Sequence, residues 1–246
     1  DDQERKNQVI YKQVAEFCHF NLLKNEEALN YLDNRKISLD SIKKFQIGLF
    51  PQDFNNLFNL IDIKKLKMFG IIKTASSSPF RIQNLTFPIK DVYGNYIALA
   101  GRTMISEEKR VEYSIAKYKN SIYKKSHHLF GLNTAKHSIL KNNKVYVVEG
   151  YFDVIAPHQH GIANVVATCG TFLSVRHVAL LARYTNNVIV VMDNEIVAQQ
   201  KAKKIVARKY DGINVTLLNP LEDQAEKDLD EFLRNHDAKE LIVRLQ

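Results

Sequence analysis

The sequence predicts an α/β fold, and three observations carry that prediction. Two short apolar runs, Lys144-Val-Tyr-Val-Val-Glu149 and Asn187-Val-Ile-Val-Val-Met-Asp193, each stop on an acid. Runs of Val and Ile this short, bounded by polar residues, read as buried parallel strands. Helical patterns alternate with such runs from residue 144 onward, and this alternation makes a parallel sheet. The residues before 144 differ: helical stripes, one hairpin pattern and most of the basic charge. A mixed α+β part therefore precedes the parallel-sheet part, and two further helices close the chain.

In chain order, residues 8–30 read as one helix, with Val9, Ile10, Val14, Phe17 and Leu22 on its apolar stripe. Ser38 caps a short helix through Phe45. Residues 47–51 read as a turn into a helical stretch over 54–60, and a further helix ends at Gly70 in the left-handed position. Ser76-Ser-Ser-Pro79 is a loop. Strands over 85–89 and 96–101 form a hairpin around Asp91-Val-Tyr-Gly94-Asn. Glu107-Glu-Lys-Arg110 reads as a solvated loop, and 129–140 as a helix. The alternating part then runs strand 145–148, helix 152–159, strand 164–167, helix 174–183, strand 188–192, helix 196–210 and strand 214–218. Helices over 228–234 and 238–245 follow. The expected domain boundaries are 1–142, 143–220 and 221–246.

Composition narrows the function classes. The net charge is +8, and it is unevenly distributed. Before Lys144 there are 23 Lys and Arg against 14 Asp and Glu, hence +9; from Lys144 onward there are 12 against 13, hence −1. A solvated basic surface accounts for that asymmetry, and so does a polyanion track leading to a metal site. No apolar run reaches the roughly 18 residues of a membrane span. The first residues lack the apolar core of a signal peptide and read as a fragment boundary. Cys18 and Cys169 stand far apart without metal-ligand spacing, so no zinc ribbon is encoded here and both are expected to be buried thiols. No P-loop, Gly-x-Gly-x-x-Gly or His-Glu-x-x-His motif occurs, which leaves ATP or zinc hydrolysis without support.

Ligands of open α/β sheets bind beyond the carboxyl ends of the strands. Glu149 and Asp193 would emerge there on one rim. Each acid either caps the helix that follows or shares a cation with its neighbours. An all-oxygen set of acids suits Mg²⁺ or Mn²⁺. The same two readings stay open for Asp228 and Asp230. His127 and His128 are adjacent, point apart on a helix, and read as surface or phosphate-contacting residues.

Glu149-Gly-Tyr-Phe-Asp153, Gly170-Thr171 and Asp193-x-Glu195 together resemble the Toprim module of bacterial primases, topoisomerases and some nucleases. The flanks narrow the resemblance. Phe87-Pro-Ile-Lys-Asp91 with Gly94, Ala100-Gly-Arg102, Lys117-Tyr118-x-Asn120-Ser121 and His128-Leu-Phe-Gly131-Leu132 are similar to segments of the bacterial DnaG-type primases. Tyr31-Leu-x-x-Arg35 with Ile42, Phe45 and Ile47-Gly48 is similar to that family's helical opening. The resemblance covers the chain from about Tyr11 to the C-terminus.

The resemblance implies a DNA primase catalytic core, a nucleotidyltransferase that makes short RNA primers on single-stranded DNA by two-metal phosphoryl transfer. It implies Glu149, Asp193 and Glu195 as catalytic residues. These three, with Asp228 and Asp230, would bind Mg²⁺, with Mn²⁺ as the alternative, and Asp153 would support the acidic site. Arg102, Lys117 and Asn120 would line the groove for template and nucleotide phosphates, where a planar guanidinium and a point-charge ammonium both serve. Partners implied are the template, ribonucleoside triphosphates, the RNA–DNA product and a replicative helicase docking through regions beyond this chain. The place implied is the cytoplasm, at the replication fork. The family usually carries a zinc domain upstream, so this chain is one part of a longer protein or has lost that domain. Glu195 stands where the family has Asp, Asn194 where it has Gly, and Ile196-Val-Ala198 where it has a small-residue pair. Ile122-Tyr-Lys replaces the family's Pro-Glu-Thr. These departures motivate a second reading, a catalytically degenerate Toprim subunit that binds nucleic acid without polymerising.

Overall fold

The computed structural model describes residues 2–170, 173–191, 193, 210 and 212–246. The chain divides into two units, Asp1–Lys90 with Gly94–Tyr123, and Asp91–Tyr93 with Lys124–Gln246.

In the first unit two helices, α1 (Asp2–Leu22) and α2 (Glu26–Asn34), stand where periodicity predicts one. Asn25 is the reason. Its side-chain oxygen accepts the Ala28 N–H at 2.8 Å, satisfying an orphan donor at a new helix start. The buried stripe of α1 is Ile10, Tyr11, Val14, Cys18 and Leu22, whereas Val9 is 55% exposed. Adjacent helical residues lie about 100° apart, so Val9 and Ile10 cannot both face the core. The helix α3 (Leu39–Phe45) starts as predicted, with Ser38 Oγ accepting the Ser41 N–H at 3.2 Å.

Residues read as a turn instead form a two-residue strand, β1 (Gly48–Leu49). A side chain at Gly48 would put its Cβ 2.6 Å from Cys18 Cβ, so only glycine lets α1 lie this close to the strand. A 3-10 turn over Asn55–Asn59 and the helix α4 (Ile63–Met68) follow, with Gly70 left-handed at φ +68°. The predicted hairpin is β2 (Leu85–Lys90) and β3 (Tyr96–Arg102). Glu107–Arg110 belongs to a short helix, α5 (Glu107–Glu112), rather than a loop, though none of its side chains is buried. Then comes β4 (Tyr118–Asn120). The sheet is antiparallel in the order β1-β2-β3-β4. Its core holds Val14, Phe50, Phe54, Leu66, Phe80 and Leu99, with the Phe50 ring 5.3 Å from Phe54 and 5.9 Å from Phe80. Each such side chain removed from water contributes about 1.5–3 kcal/mol.

The second unit is the predicted parallel part. Its elements are α6 (Leu132–Asn142), β5 (Val145–Val148), α7 (Phe152–Gln159), β6 (Val165–Ala167), α8 (Val175–Leu181), β7 (Asn187–Val191) and β8 (Asn214–Leu218). Two closing helices, α9 (Leu229–Asn235) and α10 (Ala238–Arg244), stand as expected. The helix predicted over 196–210 lies outside the described residues except at Tyr210, which instead forms an isolated antiparallel bridge with Ile213. All strand pairs are parallel, in the order β6-β5-β7-β8. Leu132, Ala135 and Ile139 of α6 pack with Val145, Val147, Val166, Val178 and Val188 in one core. Packing thus joins residues 124–142 to the sheet that follows them. Both cysteines are free, buried thiols, and burial pushes Cys18 up to about 12. Among the described residues no helix is long and apolar enough to cross a membrane.

Candidate active site

The acids gather where the parallel strands end. Glu149 follows the last residue of β5 and is exposed, while Asp193 lies two residues beyond β7 and is half-buried. Asp153 sits in the first turn of α7 and is only 6% exposed. Gly150 makes that position possible, because a Cβ there would lie 2.4 Å from Asp153 Oδ2. Asp230 donates its backbone N–H to Asp153 Oδ1 at 3.1 Å and is itself 1% exposed. Its Oδ2 faces Arg234 Nε at 3.4 Å, one helical turn along α9. Asp228 is the N-cap of α9, accepting the Glu231 N–H at 2.8 Å.

These placements set the electrostatics. Burial holds the Asp153 carboxyl well above the usual carboxylate range, and Asp228, Asp193 and Asp230 push it further the same way. The Asp230 N–H opposes them. Four carboxyl groups thus feel one another around a buried member, and a hard cation relieves that repulsion. The all-oxygen donor set is of the kind Mg²⁺ and Mn²⁺ accept. Among the described residues no three acidic, histidine or cysteine side chains close into a ready chelating group. Mg²⁺ commonly uses one or two carboxylates, with waters and substrate phosphates completing its shell. The residues present fit an ion of that kind.

Glu195, Asn194 and Ile196–Ala198, which carry the departures from the resembled pattern, lie outside the described residues, as does Thr171. Asp228 is seen to be a cap, and a capping carboxylate still has lone pairs for a cation. Asp230 is turned toward Arg234 and the buried side of the group. Asp153, expected only to support the acids, is instead the group on which the charges of the other three converge.

The basic residues belong to the first unit. Arg102 closes β3, is 9% exposed, and donates from Nη1 to the Tyr31 hydroxyl, its guanidinium 5.7 Å from that ring's centre. Arg35 reaches the same hydroxyl at 3.5 Å and the same ring at 5.9 Å. Tyr31 therefore holds two guanidinium groups through a neutral oxygen and a π face. Lys117 is exposed, with Nζ 5.8 Å from the Tyr118 ring. Asn120 is half-buried on β4, opposite Ala100.

Four contributors escape sequence reasoning as functional residues: Gly150, Arg234, Tyr31 and Lys125. Gly150 is a signal only once Asp153 is known to be turned inward. Arg234 follows Asp230 by four residues on α9, a spacing that could have suggested the pair. The partnership of Tyr31 with Arg102 spans 71 positions and has no local signature. Lys125 is half-buried and donates from Nζ to the Cys169 carbonyl at 3.4 Å, just beyond β6.

Residues 17–136 match the family described as DNA primase catalytic core, N-terminal domain, and residues 146–233 match the family described as Toprim-like. The chain belongs to the DnaG-type DNA primase catalytic-core family. A DNA primase of Lactococcus lactis is 32% identical over 265 residues, spanning 100% of this chain and 40% of the relative. A DNA primase of Synechocystis is 35% identical over 247 residues, spanning 90% of this chain and 37% of the relative. The chain therefore spans about two-fifths of the length of these relatives. Among solved structures, a DnaG primase catalytic domain bound to ssDNA matches with a TM-score of 0.83 at 26% identity, over 100% of this chain and 82% of that one. The zinc-binding and RNA polymerase domains of the Aquifex aeolicus primase match with a TM-score of 0.83 at 28% identity, over 98% and 60%. The primase family and the mixed-then-parallel architecture agree with what the sequence motifs predict.

Proposed function

We propose that this chain is the polymerising core of a DNA primase, joining ribonucleotides into short RNA primers on single-stranded DNA. The observation that carries the reading is the buried Asp153 among Asp193, Asp228 and Asp230, at the carboxyl ends of the parallel strands. Positioning and electrostatic stabilisation do most of the work in phosphoryl transfer.

Glu149, Asp193, Glu195 and Asp228 would hold divalent cations, Mg²⁺ by preference or Mn²⁺, with Asp230 and Asp153 behind them. Such ions, when bound, lower the pKa of an attacking hydroxyl and stabilise charge on the phosphoryl and pyrophosphate oxygens. Glu149 is exposed and would take the proton from the primer 3′-hydroxyl at its carboxylate. A cation bound among these acids would relieve the repulsion that Asp228, Asp193 and Asp230 exert on Asp153. Arg102, Lys117 and Asn120 would meet template and nucleotide phosphates. Arg102 donates to the Tyr31 hydroxyl, and its planar guanidinium is of the kind that binds phosphate oxygens in pairs. The substrates are ribonucleoside triphosphates and a single-stranded template, and the product is an RNA–DNA duplex. A replicative helicase would dock through regions outside this chain, in the cytoplasm at the fork.

The test is ribonucleotide incorporation on single-stranded DNA by the wild type, Glu149→Gln and Asp193→Asn, with DNA binding measured alongside. The reading expects synthesis by the wild type, and loss of synthesis with retained binding in both variants. Undiminished synthesis in either variant would remove that acid from the site. DNA binding by the wild type without product at any Mg²⁺ or Mn²⁺ concentration would sink the polymerase reading.

A further inference from the structure

The rim beside Glu149 is built from a loop held in an unusual shape. Past β6 the parallel pairing continues for two residues, with Thr168 N–H donating to Val148 O and Cys169 N–H to Glu149 O, each at 3.1 Å. Cys169 then takes φ +52° and Gly170 φ +85°, two left-handed residues in succession. A cysteine resists that region because its Cβ crowds the backbone, so surrounding groups must over-determine the conformation.

The structure supplies those groups from one short segment. Lys125 Nζ donates to Cys169 O at 3.4 Å, and Ser174 Oγ donates to Ser126 O at 3.1 Å. Between them lies His177, fully buried in the first turn of α8. The Ser174 N–H approaches its Nδ1 at 3.2 Å, and an N–H can only donate, so Nδ1 is bare. Nε2 then carries the ring proton and donates to Lys125 O at 2.9 Å. One neutral imidazole thus closes the cap of α8 on one side and grips the backbone of Lys125 on the other.

We propose that His177 is a positioning residue for the reaction at the acidic rim. Its ring fixes the backbone of Lys125, which brings that ammonium onto the Cys169 carbonyl. The left-handed turn so held keeps the Cys169 N–H on the Glu149 carbonyl and sets where the Glu149 carboxylate stands. This assignment rests on the reading of the rim as the primer-synthesis site.

His177→Asn and His177→Gln separate the two grips. Asn keeps an acceptor for the Ser174 N–H but is too short to reach Lys125 O. Gln offers an acceptor and a donor together and can serve both. The first readout needs no activity: maleimide labelling of Cys169, located by peptide mass. The thiol is buried and pushed up by that burial, so the wild type and the Gln variant label slowly and the Asn variant at least about ten-fold faster, as a locally opened loop should. The second readout is primer synthesis. In the Asn variant kcat falls about ten- to a hundred-fold with little change in template KM, and Gln restores it.

Equal labelling of the two variants at equal melting temperature would reduce His177 to a helix cap and overturn the proposal. Fast Cys169 labelling in the Asn variant with undiminished kcat would overturn it too. A wild type that shows the labelling pattern but makes no primer would instead remove the function on which the proposal rests, while leaving the loop clamp intact. If the Asn variant does not fold, long-range ¹H–¹⁵N spectra of the wild type decide. A slowly exchanging Nε2–H beside an unprotonated Nδ1 supports the double grip, and a freely exchanging ring overturns it.

Discussion

The two units treat charge in opposite ways. In the first, Arg102 and Arg35 are steadied by the Tyr31 hydroxyl and ring, and most lysines point into water. The exposed lysines keep their charge at little cost to folding and stay open to a phosphate. In the second, carboxyl groups are brought together and two, Asp153 and Asp230, are buried, so the fold opposes its own charges until a cation arrives. The first unit reads as a surface that attracts, and the second holds a site that stores unfavourable electrostatics. Stability is surrendered at the place where chemistry is expected.

The sharpest way to break this contrast is to remove one acid. Asp193→Asn is expected to lower primer synthesis by about 10²–10³-fold, the scale of losing one preorganised electrostatic group, while single-stranded DNA binding stays near wild type. A loss confined to binding would place Asp193 with the attracting residues instead. Gly150→Ala comes next, since its Cβ would meet Asp153 Oδ2 at 2.4 Å. It should destabilise by about 1–3 kcal/mol, as overpacking does, visible as a lowered melting temperature. An unchanged melting curve would mean that Asp153 can swing away, and that its burial is not obligatory.

Arg102→Ala tests the attracting unit. It should weaken DNA binding across sequences and flatten the slope of log K against log salt by about one contact. The same slope as the wild type would take Arg102 off the phosphate track. Asp153→Asn examines the stored repulsion directly. The folded state holds the Asp153 proton to higher pH than the unfolded chain does, so stability is present below the unfolded carboxylate pKa and falls as pH rises through the folded one. The Asn variant lacks that fall. It should melt a few degrees above the wild type at pH 8 without divalent cations, match it near pH 4, and lose its advantage when Mg²⁺ is added. Identical melting at both pH values would deny the repulsion. Asp223→Asn is the smallest effect. Arg244 holds the Asp223 carboxyl down at about 2, so the pair's contribution is present above the unfolded carboxylate pKa and lost as pH falls through about 2. This carboxylate is exposed and screened, and at neutral pH the melting temperature should hardly move.

Much of this could be read in advance, for local reasons. The runs at 145–148 and 214–218 are strands over the residues expected: the first is a continuous apolar run buried throughout, and the second lies at the sheet edge with Val215 buried and Asn214 and Thr216 exposed. Glu149 and Asp193 fall at strand ends because a polar residue halts such a run. Where the structure differs, the cause is also local. Asn25 caps a new helix inside a stretch whose helical period runs on unbroken, and Gly48, in a stretch that reads as a turn, is the thin spot of a strand on which α1 rests.

The sequence by itself determined the parallel sheet, the family and the acids at the strand ends, because periodicity and motif spacing act over a few neighbouring residues. The tertiary structure alone decided that Asp153 is buried against α9, that Tyr31 steadies Arg102, and that His177 ties α8 to Lys125. Those pairs are separated by 77, 71 and 52 positions. Only the packing of whole helices and strands brings them within a hydrogen bond, and the desolvation that shifts a carboxyl arises when that packing excludes water.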